Sequence, residues 1–303
     1  MQPIIKLKDS YGRPVTSLRI SITERCNLDC IYCHNEGSEG SPNEMTPEEV
    51  ANIVKVGAEY GVRKVKFSGG EPLVREDFEE ILKALPPLKD VSVTTNAIYL
   101  RDRAKSLKEA GLDRVNISLD SLDPECYGKI TGRSPDLHRK VLEGIDAAVE
   151  AGLTPVKLNM VLLKGVNDDQ IDDMLEFTRQ YDGTVVLQLI QLMDFNDTSG
   201  FQVDAESIEK MLEEKANEVR VRKMHRRRKY IIDGAEVEMV RPVDNTEFCA
   251  SCNRLRVTAD GKLKPCLLTN ENLVDTKGAS IEELRELFKE AVQKRVPYNR
   301  RKD

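Results

Sequence analysis

Tryptophan is absent from the 303 residues, and aromatic residues make up only 5% of them. A core built with so few large rings must be mostly aliphatic. No stretch is long and apolar enough to span a bilayer, and the N-terminal MQPIIKLKDSYGRPV has no apolar h-region, so a cytoplasmic location is expected. An excess of positive charge is lacking too. The net charge is −6, which argues against general attraction to nucleic acid. Neither G-x-x-x-x-G-K-[ST] nor G-x-G-x-x-G occurs, so a nucleotide, if bound, is not held by the usual phosphate loops. Low-complexity segments are also missing. What remains is 40% hydrophobic and 32% charged, enough for one large domain and a smaller one.

Cysteine, by contrast, is present and clustered. Seven is an odd number, and in a reducing compartment these residues stay thiols, which favours metal binding or catalysis over disulfides. They fall as Cys26, Cys30 and Cys33, then Cys126 alone, then Cys249, Cys252 and Cys266.

Strand and helix patterns alternate through the first two thirds. Strands are expected at 16–22, 62–68, 91–96, 114–120, 155–162 and 184–192, with helices at 46–60, 75–85, 99–111, 137–151 and 168–181. The first helix is punctuated by Thr46 as N-cap, Pro47, Glu49 completing a capping box, and Gly61. Six such steps predict an α/β fold with a parallel sheet, either a barrel or an open sheet, and ligands at the C-terminal strand ends. The pattern changes near residue 200, which suggests division into 1–200 and 201–303. The second part has a helix at 204–217, short strands in RKYIID and AEVEMV, a hairpin around Asp260-Gly261, and a last helix near 280–293.

CNLDCIYCH, residues 26–34, admits several chemistries. CIYCH matches a c-type haem attachment signature, but this leaves Cys26 idle and normally needs export. Cys30/Cys33 alone resemble a thiol redox pair, again without Cys26. Zinc could use His34 as a fourth ligand, although adjacent Cys33 and His34 rarely both face one tetrahedral ion. Three thiolates on one loop also suit three irons of a cubane, leaving the fourth for a chelating molecule. Cys249, Cys252 and Cys266 repeat the logic as C-x2-C-x13-C, with a three-Cys zinc site as the alternative. Cys126 reads as an ordinary residue. If Arg254 and Arg256 enter a strand they share a face, and two guanidiniums suit a polyanion.

C-x-x-x-C-x-x-C after the first strand, with SGGEP (68–72) after the second, closely resembles the radical S-adenosylmethionine (SAM) superfamily. Together with C-x2-C-x13-C and R-x-R, the chain resembles the GTP 3′,8-cyclase family, which begins molybdenum-cofactor biosynthesis. The likeness extends over GRPVTSLRISITERCNLDCIYC, KVKFSGGEPLVR, TTNA, RVNISLDSLDPE, ITGR, AGLTPVKLNMVLLKGVNDDQI and FCASCNRLRVTADGKLKPCL. It implies a partial (β/α)6 TIM-like barrel followed by a C-terminal α+β domain with an auxiliary cluster.

The resemblance also implies two [4Fe–4S] clusters, one on Cys26, Cys30 and Cys33 and one on Cys249, Cys252 and Cys266. SAM would be lined by the backbone at Tyr32, Gly70 and Ser118, with Met193. GTP would meet Arg19, Lys66, Thr94, Lys157, Asn253, Arg254, Leu255 and Arg256. The implied reaction is cleavage of SAM to methionine and a 5′-deoxyadenosyl radical, hydrogen removal from C3′ of GTP, and addition of C3′ to C8. No side chain is implied as a catalytic group; the protein positions substrate and excludes water. Implied partners are GTP, a flavodoxin- or ferredoxin-type one-electron reductant and a downstream cyclic pyranopterin monophosphate synthase, with a homodimer as an assembly to test.

This sequence departs from the family pattern twice. The sixth strand has Gln188 and Gln191 where many members have arginine and glutamate, and the chain ends in NRRKD with no Gly-Gly tail. Other readings are a peptide-modifying radical SAM maturase and a zinc- or nucleic-acid-binding module. The latter rests only on the basic run RKMHRRRKY (222–230).

Overall fold

The alternation in the sequence produces six parallel strands paired in chain order: β1 (Ser17–Ser21), β2 (Lys64–Ser68), β3 (Asp90–Thr95), β4 (Arg114–Ser118), β5 (Val156–Leu162) and β6 (Val185–Gln191). They are seen in a computed structural model that describes residues 6–38, 40–193, 198–221, 227–242 and 246–297. Helices α1 (Pro47–Glu59), α2 (Phe78–Ala84), α3 (Leu100–Glu109), α4 (Pro124–Thr131), α5 (Leu137–Glu150) and α6 (Ile171–Arg179) lie between them. The Thr46–Glu49 capping box and Pro47 start α1 as expected. Around Cys126 the sequence leaves a loop or a helix start open, and the structure has helix α4: Asp123 caps it by accepting from the Cys126 N–H, and Pro124 opens it.

The strands alternate apolar and polar residues with a period of two. Leu18, Ile20, Val65, Phe67, Val93, Val115, Ile117, Leu158, Met160, Leu187 and Leu189 are buried in the main core. A Cβ built on Gly57 of α1 would lie 3.2 Å from Leu18, and Phe67 meets Phe78 of α2 edge-on at 5.3 Å, so this face packs on the helices. The alternate positions are Arg19, Lys66, Ser92, Thr94, Asn116, Lys157, Asn159 and Gln188. Parallel strands covered by helices on both faces read as nearly continuous apolar runs. These do not, because their second face lines a polar lumen.

The chain beyond residue 200 extends this sheet at both edges. After α7 (Ala205–Lys215) come β7 (Glu218–Val221), β8 (Arg228–Ile232) and β9 (Ala235–Val240). Strand β9 runs parallel to β6, and β8 and β7 follow in antiparallel pairing. The chain then crosses to the opposite edge through α8 (Thr246–Ala250), where β10 (Arg254–Val257) pairs in parallel with β1. Strands β11 (Lys262–Lys264) and β12 (Val274–Asp275) continue outward. Among the described residues this makes one sheet of twelve strands in the order β12-β11-β10-β1-β2-β3-β4-β5-β6-β9-β8-β7. Since β1 and β6 pair with β10 and β9, the barrel is partial. The expected hairpin joins β10 and β11, with Gly261 at φ +89. Finally α9 (Ile281–Gln293) packs Phe288 against Tyr60, the C-cap of α1.

Residues 222–226 of the basic run, Asp194 after the sixth strand and the tail 298–303 lie outside the described residues. Among the described residues, no helix is long and apolar enough to cross a membrane.

Candidate active site

Cys26, Cys30 and Cys33 sit on the loop that leaves the C-terminal end of β1. That loop is pinned from two sides. The N–H groups of Asp29 and Ile31 donate to Thr131 O and Ile130 O, the last carbonyls of α4, at 2.9 and 3.0 Å. On the other side, the loop backbone lies directly on Gly69 and Gly70: a Cβ on Gly70 would lie 2.3 Å from the Arg25 carbonyl oxygen. Gly70 N–H donates to Thr23 O and Glu71 N–H to Arg25 O, at 2.9 and 2.8 Å. The Glu71 carboxylate in turn accepts from Leu73 N, Asn96 N and Thr95 Oγ1. SGGEP is thus a bed for the cysteine loop as well as a strand end.

Neighbouring thiols disfavour the ionisation of Cys30 and Cys26. Burial, then Asp120 and the neighbouring Cys33 and Cys26, push Cys30 far up. Cys26 is raised as well, mainly by burial. Cys26 and Cys30 therefore ionise readily only beside a cationic group, which suits an iron cluster. Among the described residues, no three Cys, His, Asp or Glu side chains converge on a single ion; a cubane instead takes one thiolate per iron. Tyr32 O–H donates to Asp120 Oδ2 at 2.5 Å, and Asp120 Oδ1 accepts from Val161 N. Burial pushes the Asp120 carboxyl up to about 6 against the pull of those two donors. His34 is half-buried, and burial lowers it. A cavity of about 640 Å³ opens beside Cys33, between the 34–38 turn and residues 267–271. That is within the size range of small-molecule sites.

Below this loop the lumen is lined by cations. Arg256, Arg19 and Lys66 stand in register across β10, β1 and β2, and Arg254 is level with Ser17. The expected sharing of a face by Arg254 and Arg256 holds. Leu255 between them is fully buried on the opposite face, so only its backbone can meet a ligand. Burial, then Arg256 and Arg19, push the Arg254 guanidinium down. Burial followed by Arg19, Arg114, Arg254 and Lys157 pushes Lys66 down strongly. Crowded cations of this kind call for an anion. One is built in: Glu36 Oε1 lies 2.8 Å from Arg19 Nη2 and its Oε2 2.7 Å from Arg256 Nη1. Burial opposes ionisation of Glu36, but the two arginines outweigh it and hold the carboxyl at about 2. Thr94 and Asn116 are paired in register on the lumen face, and Asn253 O accepts from Thr16 N and Ser17 N where β10 begins.

Cys249 and Cys252 precede β10 and therefore lie toward the N-terminal end of the barrel, opposite to the Cys26 loop. Cys266 follows β11, whose antiparallel course brings it back toward the same end. The sequence reading placed ligands at the C-terminal strand ends; the structure puts one triplet there and turns the other toward the far mouth, with the arginines between.

The second triplet is held by an ion network from both chain ends. Arg13 Nη1 donates to Cys249 O at 2.9 Å, and Arg295 Nη2 donates to Cys252 O at 2.6 Å. Asp9 joins the two arginines, at 2.8 Å from Arg13 and 3.2 Å from Arg295. Burial pushes the Cys252 thiol up, but Arg254 and Arg295 together bring it below its ordinary value. Asp9→Asn leaves two buried guanidiniums facing each other, so a loss of about 3–5 kcal/mol is expected. Urea unfolding of the cluster-free protein checks this; an unchanged midpoint would show that the network is idle.

Neither Glu36 nor the Asp9–Arg13–Arg295 network was found by sequence reading, nor was Glu238, whose Oε1 accepts from Lys157 Nζ at 2.8 Å. Their partners are distant in the chain, and a lone acidic residue carries no local signal. Helix α4 did leave one: Asp123-Pro124-Glu125 is a helix start.

A partial barrel with a three-cysteine loop after its first strand and a glycine bed after its second defines a class, and the chain belongs to the radical SAM superfamily, whose family model matches residues 20–178. The model for Molybdenum Cofactor Synthesis C matches residues 185–300. Within the superfamily the chain belongs to the GTP 3′,8-cyclase family. It is 64% identical to the probable GTP 3′,8-cyclase of Methanosarcina acetivorans over 299 residues, covering 96% of this chain and 90% of that one. With the probable GTP 3′,8-cyclase of Thermococcus kodakarensis the identity is 50% over 309 residues, covering 96% and 99%.

Solved structures share the fold at low identity. A crystal structure of Streptococcus suis SuiB gives a TM-score of 0.64 at 16% identity, over 90% of this chain and 66% of that one. Native anSMEcpe with bound AdoMet and Kp18Cys peptide gives 0.65 at 18%, over 92% and 83%. The family uses [4Fe–4S] clusters and SAM.

Proposed function

We propose that this chain converts GTP to its 3′,8-cyclic product as a radical SAM lyase, the first step of molybdenum-cofactor biosynthesis. The observation that carries the reading is the cationic lumen between two opposed cysteine triplets. In this reading Cys26, Cys30 and Cys33 hold one [4Fe–4S] cluster and Cys249, Cys252 and Cys266 the other. Bound there, the clusters and SAM supply the one-electron and radical chemistry.

The chain's own residues bind and orient. The backbone of Tyr32, Gly70 and Ser118, with Met193, lines SAM near the upper triplet. Arg19, Lys66, Lys157, Arg254 and Arg256 receive the triphosphate, which carries about four negative charges. Thr94, Asn253 and the Leu255 backbone complete the GTP site. The lumen wall excludes water from reactive carbon centres. Residues 1–200 would act as the barrel unit and 201–303 as the unit carrying the second cluster. The working setting is the cytoplasm, with a flavodoxin- or ferredoxin-type reductant, a cyclic pyranopterin monophosphate synthase taking the product, and a homodimer as the assembly to test.

Anaerobic reconstitution with iron, sulfide, SAM, GTP and a strong reductant tests the reading. About eight irons per chain and a 3′,8-cyclised nucleotide are expected. Full iron content and SAM cleavage with no cyclised product would overturn it.

A further inference from the structure

The ion network behind the lower cysteine triplet does not sum to zero. Asp9 sits in a tight turn, where its Oδ1 accepts from Tyr11 N at 3.0 Å and Arg13 N at 2.9 Å. Its Oδ2 accepts from Arg13 Nε at 2.8 Å and lies 3.2 Å from Arg295 Nη1. Arg295 follows α9 and is 1% exposed. Its Nη1 also donates to Arg13 O at 3.2 Å and its Nη2 to Cys252 O at 2.6 Å. Its Nε is buried with no partner among the described residues.

Among the described residues, Asp9 is the one carboxylate within ion-pair distance of either arginine. Two guanidiniums and one carboxylate leave one positive charge over, and all three residues are buried. An uncompensated buried charge is costly unless an anion lies beside it. What lies beside it is the triplet, since each arginine donates to the carbonyl of one of its cysteines. A cubane on three thiolates is an anion when oxidised and gains a further negative charge on reduction. In a poorly solvated site the leftover charge therefore favours the bound cluster over the bare triplet, and its reduced state over its oxidised one.

We infer that Arg295 is a positioning residue of the lower cluster: acting through Cys252, and with Arg13 through Cys249, it supplies the leftover positive charge that raises the reduction potential of a cluster held there. The inference rests on the reading of Cys249, Cys252 and Cys266 as cluster ligands. It does not depend on which substrate the lumen takes.

The test is a redox titration followed by electron paramagnetic resonance on reconstituted full-length protein. It is run with both clusters, and again with Cys26→Ser, Cys30→Ser and Cys33→Ser together, so that the lower cluster is read alone. Arg295→Gln brings the group to zero charge. At a fixed potential its reduced-to-oxidised ratio is expected to fall about tenfold or more, a shift of at least about 59 mV to lower potential. Arg295→Lys keeps the charge and should stay within about twofold of wild type. Asp9→Asn adds a charge and should move the ratio the other way. Asp9→Asn combined with Arg295→Gln restores the wild-type charge and should return the potential to near its wild-type value. Plain structural damage would instead make this double variant the most displaced. An unchanged potential in Arg295→Gln with about four irons bound overturns the inference, as does a double variant lower than Arg295→Gln. Should Arg295→Gln take up no iron, Asp9→Asn decides: a potential that does not rise overturns the inference. A wild-type lower triplet that binds no iron defeats the cluster reading and the inference with it. Protein that follows the charge series but never cyclises GTP defeats the cyclase reading alone.

Discussion

Gly70→Ala protein, reconstituted anaerobically, is expected to hold about four irons instead of about eight, and to cleave SAM at least about a hundredfold more slowly. The reason is steric. The new methyl would sit 2.3 Å from Arg25 O and 2.7 Å from both Arg25 C and Glu24 O. These are backbone atoms, so no side chain can swing aside. The Gly70–Thr23 and Glu71–Arg25 backbone hydrogen bonds hold the two segments in place, so relief must come from moving the chain just before Cys26. Overpacking of this kind costs about 1–3 kcal/mol, too little to unfold a chain of this size but enough to displace the cysteine loop. Gly200→Ala is the control: nothing lies within 4 Å of its Cβ position. A Gly70→Ala protein with full iron content and normal SAM cleavage would refute the role given to this bed.

The second large effect concerns Glu36. Removing it as Glu36→Ala leaves Arg19 and Arg256 without the carboxylate that links them, beside Arg254 and Lys66. Breaking a buried ion pair from one side costs about 3–5 kcal/mol, a fall of roughly 5–10 °C in melting temperature for a protein of this length. A polyanion should supply the lost counter-charge. Inorganic tripolyphosphate is therefore expected to raise the melting temperature of Glu36→Ala well above its effect on wild type. Equal shifts in the two proteins would mean that Glu36 does not occupy the position of an anion. The turn that carries Glu36 is not loose: Gly37 O accepts from the buried Lys264, and a Cβ on Gly37 would lie 2.5 Å from Leu267 O.

Much of this architecture could be read from local signals. The alternation of strand and helix patterns located all six barrel strands, and Thr46-Pro47 and Gly61 bracketed α1 to within a residue or two. The R-x-R spacing put Arg254 and Arg256 on one face, because strand periodicity determines which side chains share a face, whereas Arg19, Lys66 and Lys157 were named through the family resemblance. The pairing of β9 with β6 and of β10 with β1 was not legible. A short amphipathic strand does not encode which sheet edge it will join. Helix α4 could be read only as a loop or a helix start, because its eight residues are few for a periodic pattern, yet its last carbonyls anchor the cysteine loop. Charge partners such as Glu36 with Arg256, or Glu238 with Lys157, exist only once the sheet has brought distant strands together.

The crossing of the chain from β9 to β10 sets an order of assembly. Strand β1 is synthesised before the other strands of the sheet, and among the described residues its outer edge is covered by β10, which is made after β9. During synthesis β1 presents an unsatisfied row of backbone donors and acceptors, while β2 through β6 can already pair. The upper cysteine loop depends on β1, Gly70 and α4, all made in the first half, whereas the lower triplet needs Asp9, Arg13 and Arg295 from both ends. A nascent or truncated chain that stops before β10 is therefore a species with one cysteine loop formed, one unmade, and an open edge ready to pair with a neighbour.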